Sequence, residues 1–309
     1  MKMSKLQISV LIFMLSMTGF PVRSLGNEVP EVPFNIDRDR IIIPTVVNGS
    51  KSLNLILDTG MGFDGVYLFH KSALNLIDTA GAIEVQVPGA GSGEASKATM
   101  IETGRIEFGE VVVDSQRILV SHSMHTQSFP TDGVIGWNFF GHYIVEIDYD
   151  RQLIYLRDSS YVPADSSWQE LPVEMKRNLP FLKVTTEVVE GEVVPMTVYM
   201  DLASGDALEL LMRPEQKYTL PGKLKKDNLG TGLSGDINGY MGRSRRLQIG
   251  EYELRDIRTA FAPAEIRSKQ EGADGILGND LIRRFNIIFD YPHSRLFIRP
   301  NNTFEIPFN

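Results

Sequence analysis

The chain contains no cysteine among its 309 residues. This absence excludes disulfide bonds, a thiol nucleophile, a metal site with thiolate ligands and a lipid-anchored cysteine. The fold must therefore be stabilised by its hydrophobic core. The apolar fraction of 42% and the charged fraction of 23% are ordinary for a soluble globular chain of this length.

Other chemical signatures are missing as well. The sequence has no Gly-x-Ser-x-Gly segment, which carries the nucleophile in many serine hydrolases. Aromatic residues are not interleaved with basic clusters, so a stacking platform for single-stranded nucleic acid is not expected. The net charge of −8 also disfavours nucleic acid and anionic membranes as partners.

The N-terminus has the pattern of a secretory signal peptide. Lys2 and Lys5 precede an apolar run at residues 6–20. Small residues follow at Ser24 and Gly26 and offer cleavage points. The run is short and interrupted for a membrane anchor, which is the alternative interpretation. We therefore expect the first 24 residues to be removed, leaving no membrane span.

Removal of this segment makes the mature chain more acidic. It takes away Lys2, Lys5 and Arg23 and no acidic residue, so the formal charge changes from −8 to −11. The sequence thus predicts an exported protein of the periplasm or cell envelope, or one that is fully secreted.

The most informative positive feature is an internal duplication. Three landmarks occur twice, with offsets of 143, 142 and 142 residues between the copies. Landmarks so far apart keep one offset only if a unit of about 140 residues is duplicated. In each copy the first landmark is an Asp that follows an apolar segment. The paired landmarks are Asp58 and Asp201, Asp132 and Asp274, and Asp148 and Asp290.

Alternating and β-branched residues predict strands through most of the chain. In each copy a predicted β-hairpin ends on the first Asp, with an Asn-Gly turn at residues 48–49 and a Glu-Gly turn at residues 190–191. Short helices are predicted at residues 138–142 and 279–285. The sequence therefore predicts a mostly β fold with few helices.

The duplication also predicts the domain organisation. We expect an N-terminal lobe over residues 27–157 and a C-terminal lobe over residues 171–309. Residues 158–170 contain a proline and four serines with little periodicity, so we interpret them as the linker between the lobes. If the lobes face each other, their first Asp residues come together.

On these residues the chain resembles the retropepsin-like and pepsin-like aspartic proteases, and most closely the exported bacterial proteins of that kind. The resemblance covers about residues 34–308. It implies two β lobes whose Asp loops meet at a pseudo-twofold axis below a cleft. It also implies that Asp58 and Asp201 are catalytic. The segments implied to lie beside them are residues 134–136 and 276–278, respectively.

The chemistry of paired carboxyl groups explains the residue types. Two carboxyl groups about 3 Å apart cannot both be ionised, so they share one proton. The ionised group can take a proton from a water molecule, and the protonated group can polarise the scissile carbonyl. We therefore predict an aspartic endopeptidase that acts on a peptide or protein and needs no metal or cofactor.

The second Asp loop departs from the Asp-Thr-Gly pattern. Leu202 lacks the hydroxyl with which a Thr can lock the opposing loop, and a Cβ at Ala203 restricts the backbone wherever φ is positive. The alternative prediction is accordingly an inactive protease-like fold that binds peptides or a protein partner. The residues predicted to support the site are Thr59, Gly60, Gly62, Leu202, Ala203 and Gly205.

Two further hypotheses concern assembly and nearby carboxylates. The site could instead form between two chains, but the second copy already fills the partner position, so we expect a monomer. Asp64 and Asp206 follow the two motifs closely, and we interpret them as loop-capping or surface carboxylates rather than catalytic groups.

Two glycine-rich stretches follow the Asp motifs at similar distances. The first contains Gly89, Gly91 and Gly93, and by resemblance it occupies the place of a flap that closes over substrate. The second, residues 230–235, matches Gly-x-Gly-x-x-Gly, but we expect neither a strand before it nor a helix after it, so nucleotide binding is not predicted.

The spacing of His122 and His125 occurs in some metal sites, but no third ligand accompanies them. We interpret both as loop residues and predict no metal site.

Overall fold

The computed structural model describes residues 29–267 and 272–308. The predicted signal peptide therefore lies outside the described residues. Strands dominate these ranges, and the α-helices in them are limited to two of four residues each. The prediction of a mostly β fold with two duplicated lobes is confirmed.

The first half of the described chain forms eleven strands and one α-helix. Two 3₁₀ helices lie at Lys71–Leu76 and Thr126–Ser128. The elements are β1 (Glu31–Pro33), β2 (Asn35–Asp37), β3 (Arg40–Val47), β4 (Leu53–Leu57), β5 (Gly65–Leu68), β6 (Ile83–Val87), β7 (Ser96–Phe108), β8 (Val111–Ser121), β9 (Gly133–Ile135), α1 (Trp137–Phe140), β10 (Ile144–Asp148) and β11 (Leu153–Arg157).

The second half repeats this series. A 3₁₀ helix at Ala264–Arg267 follows its longest hairpin. The elements are β12 (Gln169–Pro172), β13 (Glu174–Lys176), β14 (Leu179–Glu187), β15 (Val193–Asp201), β16 (Leu208–Met212), β17 (Lys225–Gly232), β18 (Gly235–Ile249), β19 (Tyr252–Pro263), β20 (Gly275–Gly278), α2 (Asn279–Ile282), β21 (Phe285–Asp290) and β22 (Arg295–Pro300).

The two lobes have the same strand order. The N-terminal sheet runs β2-β3-β4-β9-β5-β8-β7-β6, and the C-terminal sheet runs β13-β14-β15-β20-β16-β19-β18-β17. One additional pairing in each lobe, β3 with β7 and β14 with β18, closes the sheet on itself. The predicted helices are present but shorter than expected.

The repeated Asp-Gly segments have a structural role. Asp132 pairs with Asn54 through its main chain, and its Oδ2 accepts the Asn54 N–H at 2.8 Å. Asp274 repeats this with Thr197, whose N–H lies 2.9 Å from Oδ2. Each Asp thereby fixes the register between the strand that leads to an Asp loop and the short strand beside it.

A third sheet joins the lobes, in the order β1-β11-β10-β21-β22-β12. β10 and β21 pair antiparallel, with Glu146 opposite Ile288 at the centre. Because these strands occupy matching places in the duplication, the pseudo-twofold axis passes through their pairing. The Phe140 ring contacts Phe289 across the lobes, with centroids 5.3 Å apart.

Among the described residues, no helix is long and apolar enough to cross a membrane. The bounds of the lobes and of the linker stay predictions.

Candidate active site

Asp58 and Asp201 occupy the same place in the two lobes. Asp58 follows the last residue of β4, and Asp201 is the last residue of β15. Each strand is held in parallel by the short strand of its own lobe, β9 or β20. Both residues line one cavity of about 430 Å³ to which both lobes contribute. The structure therefore brings the two predicted residues to one cleft.

Backbone N–H groups hold both carboxyl groups. The N–H of Gly60 donates to Oδ1 of Asp58 at 2.6 Å. Oδ1 of Asp201 accepts from the N–H of Ala203 at 3.0 Å and from that of Ser204 at 3.2 Å. Since backbone donors favour the ionised form of a carboxyl group, each loop both orients its carboxyl and stabilises negative charge there.

The Thr59 hydroxyl joins the two Asp loops. It donates to the Met200 carbonyl at 2.7 Å and accepts from the Leu202 N–H at 3.2 Å. Thr59 is 2% exposed, so both bonds are shielded from water. The Leu202 side chain is fully buried in the hydrophobic core and offers no hydroxyl in return.

The Ser204 hydroxyl does not replace the hydroxyl that Leu202 lacks. It accepts from the Asp206 N–H at 3.4 Å, within its own loop. The link that Thr59 makes from the first loop is therefore not matched by a hydroxyl of the second loop.

Two strand residues explain why one loop has Gly60 and the other Ala203. Tyr199 and Ile56 each lie two residues before an Asp and face matching positions of β20 and β9. The Tyr199 hydroxyl lies 2.6 Å from the place that a Cβ on Gly60 would take, so a side chain does not fit there. Ala203 packs against the cluster that contains Ile56, and its φ is not positive. Its Cβ is therefore accommodated without backbone strain.

A hairpin turn of each lobe covers the Asp loop of the other. Nδ2 of Asn178, between β13 and β14, donates to the Gly62 carbonyl at 3.4 Å. The Arg38 carbonyl, between β2 and β3, lies 2.7 Å from the place of a Cβ on Gly205. The close approach requires glycine at Gly205, whereas a Cβ on Gly62 would only touch Asn178, at 3.5 Å.

The two later carboxylates take different positions. Asp64 lies outside the cavity wall, and its Oδ1 is 2.6 Å from Nε2 of His142. Asp206 lines the cleft, and its carboxylate is 3.9 Å from the Arg258 guanidinium.

The two glycine-rich stretches meet across the cleft. The Gly93 N–H donates to the Ser234 carbonyl at 2.7 Å, and the Ser234 N–H donates to the Ala90 carbonyl at 2.9 Å. The Ser96 hydroxyl adds a bond of 2.6 Å to the Leu233 carbonyl. We call residues 88–93 and 230–235 together the flap bridge. Members of both stretches line the cavity, so the bridge spans it from lobe to lobe.

Glycine is required in the flap bridge because the two main chains touch. A Cβ on Gly91, whose φ is +128°, would lie 2.5 Å from the Ser234 carbonyl carbon. A Cβ on Gly93 would lie 2.6 Å from the Ser234 oxygen, and one on Gly89 would overlap Leu233. The glycines of the predicted flap thus permit the contact with the opposite lobe.

One prediction about the second stretch was wrong. β17 runs into residues 230–235 and β18 leaves them, so a strand does precede the Gly-x-Gly-x-x-Gly segment. The segment is the turn of a β-hairpin and opens no helix, which differs from a strand–loop–helix dinucleotide site.

Among the residues that line the cleft, sequence reasoning missed Arg40 and Tyr199, which each contact the Asp loop of the other lobe. Nε of Arg40 donates to the Ala203 carbonyl in the other lobe at 2.7 Å. A comparison of the two copies could have found both residues. Leu179 is the counterpart of Arg40, and Ile56 is the counterpart of Tyr199, so at both positions a polar side chain in one lobe corresponds to an apolar one in the other.

The rest of the cavity wall combines apolar and charged side chains. Arg38 and Asp37 stand exposed at the turn between β2 and β3. The apolar residues of the wall include Ile42, Ile56, Phe69, Phe129, Val134 and Ile237.

Two buried tyrosines interact electrostatically with the carboxyl groups. Burial raises the pKa of Tyr199 well above its usual value, and the charges of Asp201 and Asp58 raise it further. Burial and the charge of Asp58 likewise raise the pKa of Tyr291. Because both pKa values are raised, both phenols are neutral at acidic and neutral pH.

The histidine pair belongs to loop structure. Nε2 of His122 is 2.8 Å from the Thr99 hydroxyl, and the His125 ring lies beside Gly235. In residues 29–267 and 272–308, no group of three side chains has an arrangement that could hold a metal ion.

Comparisons with known proteins support the fold. No protein-family model matches the sequence, and no curated protein matches it significantly. Among solved structures, the chain is similar to the aspartic proteinase from Irpex lacteus, with a TM-score of 0.59. The match covers 91% of this chain and 100% of that chain at 13% identity. The chain therefore has the two-lobed fold of a pepsin-like aspartic proteinase.

The Thr59 contact predicts a large effect of a small substitution. Thr59→Val keeps the shape but leaves the Met200 carbonyl and the Leu202 N–H without this partner. We expect the free energy of unfolding to fall by about 2–4 kcal/mol, because each buried group loses a hydrogen bond. Thr59→Ser keeps the hydroxyl and should cost about 1 kcal/mol or less. Urea denaturation of both variants measures this, and equal losses would contradict the role of the hydroxyl.

The Asp64–His142 pair predicts a pH-dependent contribution to stability. The hydrogen bond that the protonated His142 donates to Asp64 raises the pKa of His142 in the folded state, against the effect of burial. The contribution is therefore fully present below the unfolded pKa of about 6.5 and is lost as the pH rises through the folded pKa.

Because the pair is partly exposed, His142→Gln should lower the free energy of unfolding by less than about 1 kcal/mol at pH 5.5, and hardly at all at pH 8.5. Denaturation at both pH values tests this. His125→Gln is the control, since the His125 ring pairs with no carboxylate in the described ranges. The same pH dependence in both variants would refute the prediction.

Proposed function

We propose that the protein is an aspartic endopeptidase that hydrolyses peptide bonds with a water molecule activated between Asp58 and Asp201. One observation carries the proposal. The duplicated lobes place both residues in one cleft, on loops that the Thr59 hydroxyl joins. Two carboxyl groups that share one proton must lie close together, and this common cleft supports such a pair.

The reaction proceeds by general acid–base catalysis. The ionised carboxyl takes a proton from the water, which attacks the scissile carbonyl, while the protonated carboxyl donates to the carbonyl oxygen. The tetrahedral intermediate then collapses as a proton passes to the leaving nitrogen. Backbone donors at Gly60, Ala203 and Ser204 keep the carboxyl groups oriented throughout. Activity should be highest at acidic pH, where the pair retains one proton.

The substrate is a peptide or protein segment in an extended conformation. Its main chain can pair with the strand edges and loops that border the cleft, as an added β-strand does. Apolar side chains of the substrate can pack against Ile42, Phe69 and Phe129. The flap bridge must open to admit a chain from the side, and its closure excludes water from the bound peptide.

A specific observation also favours a second candidate function, peptide binding without cleavage. Leu202 is buried and supplies no hydroxyl to the first loop, so Thr59 provides the hydroxyl that joins the loops, and Arg40 of β3 holds the second loop from outside. A looser pair of loops could bind an extended peptide while failing to position the water.

The two functions are separated by cleavage assays on a diverse peptide library between pH 3 and pH 8. Asp58→Asn and Asp201→Asn should each reduce cleavage at least about 10³-fold, since each removes one partner of the shared proton. Each variant should remain folded, because Asn accepts the same backbone hydrogen bonds. Circular dichroism and thermal unfolding serve as controls.

Other outcomes would overturn the endopeptidase proposal. If only Asp58→Asn abolishes cleavage, the symmetric pair is not the site. If the folded, monodisperse chain cleaves nothing but binds library peptides, it is the non-catalytic binder.

We further propose that the chain is exported, cleaved after about residue 24 and monomeric. The basic start and apolar run support export, and the two-lobed site supports a monomer because one chain supplies both Asp loops. Expression in a bacterial host should give a mature N-terminus between residues 24 and 28 in the periplasmic fraction or the medium. An intact N-terminus in the cytoplasm, or a dimer by light scattering, would contradict these points.

A further inference from the structure

Arg40 reaches from the N-terminal lobe to the peptide group that holds Asp201. Its Nε donates to the Ala203 carbonyl at 2.7 Å. That carbonyl belongs to the same peptide group as the Ser204 N–H, which donates to Oδ1 of Asp201 at 3.2 Å. One planar peptide group therefore connects the guanidinium with the carboxyl group.

The connection has an electrostatic consequence. A cation bound to a carbonyl oxygen polarises the peptide group and makes its N–H a stronger donor. The stronger donor stabilises the ionised Asp201 carboxylate. The guanidinium also contributes its own positive charge, since Arg40 is half-buried and lines the same cavity. Both effects act in the same direction.

The two lobes differ at the position of Arg40. In the strand register, Arg40 lies opposite Asp37 at the β2–β3 turn. At the equivalent β13–β14 turn, Leu179 lies opposite Lys176, so Leu179 is the counterpart of Arg40. Leu179 is buried in an apolar cluster with Phe181. The position that matches Arg40 is therefore occupied by an apolar side chain and not by a cation.

We propose that Arg40 is a positioning residue that holds the Asp201 loop across the lobe interface and favours the ionised form of Asp201, so that Asp58 carries the shared proton. The catalytic meaning of this assignment rests on the proposed peptidase function. The hydrogen-bonded connection from Arg40 through the peptide group to Asp201 does not depend on that function. Arg40 thus supplies from the opposite lobe the support that Leu202 cannot.

Other charged and titratable groups also face the two carboxyl groups. Asp206 reduces the effect of Arg40, while Arg258 at 3.9 Å partly neutralises Asp206. Asp39 pairs with Arg283 at 3.0 Å and anchors the turn beside Arg40. Among the described residues, the cavity wall also contains the exposed Asp37 and Arg38 and the neutral phenol of Tyr199, and the buried neutral Tyr291 is affected by the charge of Asp58.

The test is a carboxyl ¹³C NMR titration of the mature chain with labelled Asp, with Asp58→Asn and Asp201→Asn to assign the two signals. In the wild type the Asp201 signal should titrate at the lower pH. Arg40→Met keeps the apolar stem but removes the donor and the charge. It should raise the lower apparent pKa of the pair by about one unit. Arg38→Met removes the same charge from the exposed rim, where solvent and salt screen it, and should shift this value by less than about 0.3 unit.

The outcomes are distinct. An unchanged or lowered pKa in Arg40→Met, or equal shifts in both variants, would overturn the proposal. An Asp58 signal that titrates first in the wild type would overturn it too. If Arg40→Met does not fold, Arg40→Lys takes its place, and we expect a smaller shift in the same direction. No shift would again refute the idea.

The titration requires no catalysis, so it stands even if the wild type cleaves no peptide. If the wild type does cleave, the apparent pKa of the acid limb of the kcat/KM profile should rise in Arg40→Met, in parallel with the lower pKa from the titration. A loss of activity without this movement would indicate a merely structural residue.

Discussion

The antiparallel pairing of β10 with β21 is the constraint on which the rest of the structure depends. It joins equivalent strands of the two lobes around a centre at Glu146 and Ile288, so one pseudo-twofold axis relates the lobes. Elements that lie near this axis in one lobe are then placed opposite their counterparts in the other lobe. The Asp loops face each other for this reason, and each hairpin turn crosses onto the opposite loop.

The duplication is symmetric in topology but not in chemistry. Tyr199 fills the space that Gly60 leaves open, whereas the smaller Ile56 leaves room for Ala203. The alanine that replaces the glycine of the Asp-Thr-Gly pattern in the second loop is therefore accompanied by a smaller residue in the facing strand of the other lobe. Because the two loops pack on each other, the residue that one loop tolerates is decided by the opposite lobe.

The flap bridge gives the cleft a second connection between the lobes, remote in sequence from the Asp loops. Its main-chain hydrogen bonds, the bond from the Ser96 hydroxyl and the packing of Leu233 on apolar residues of the N-terminal lobe must all break when it opens. Opening therefore exposes the Leu233 side chain, and a bound ligand that covers it would offset this cost. The buried strands that carry the Asp residues supply the rigid part of the site.

The sequence by itself determined the fold class, the duplication and the identity of the two Asp residues. These features are visible because repeats and strand periodicity are patterns along the linear sequence, and because Asp58 and Asp201 stand at corresponding points of the repeat. The roles of Arg40 and Tyr199, the reason for Gly205 and the joining of the two glycine-rich stretches were decided only by the tertiary structure. Each depends on a contact between residues 130 or more positions apart, such as Arg40 and Ala203, which lie 163 positions apart. Residue spacing contains no information on which surfaces of two lobes will touch, and that information appears only when both lobes are folded around their common axis.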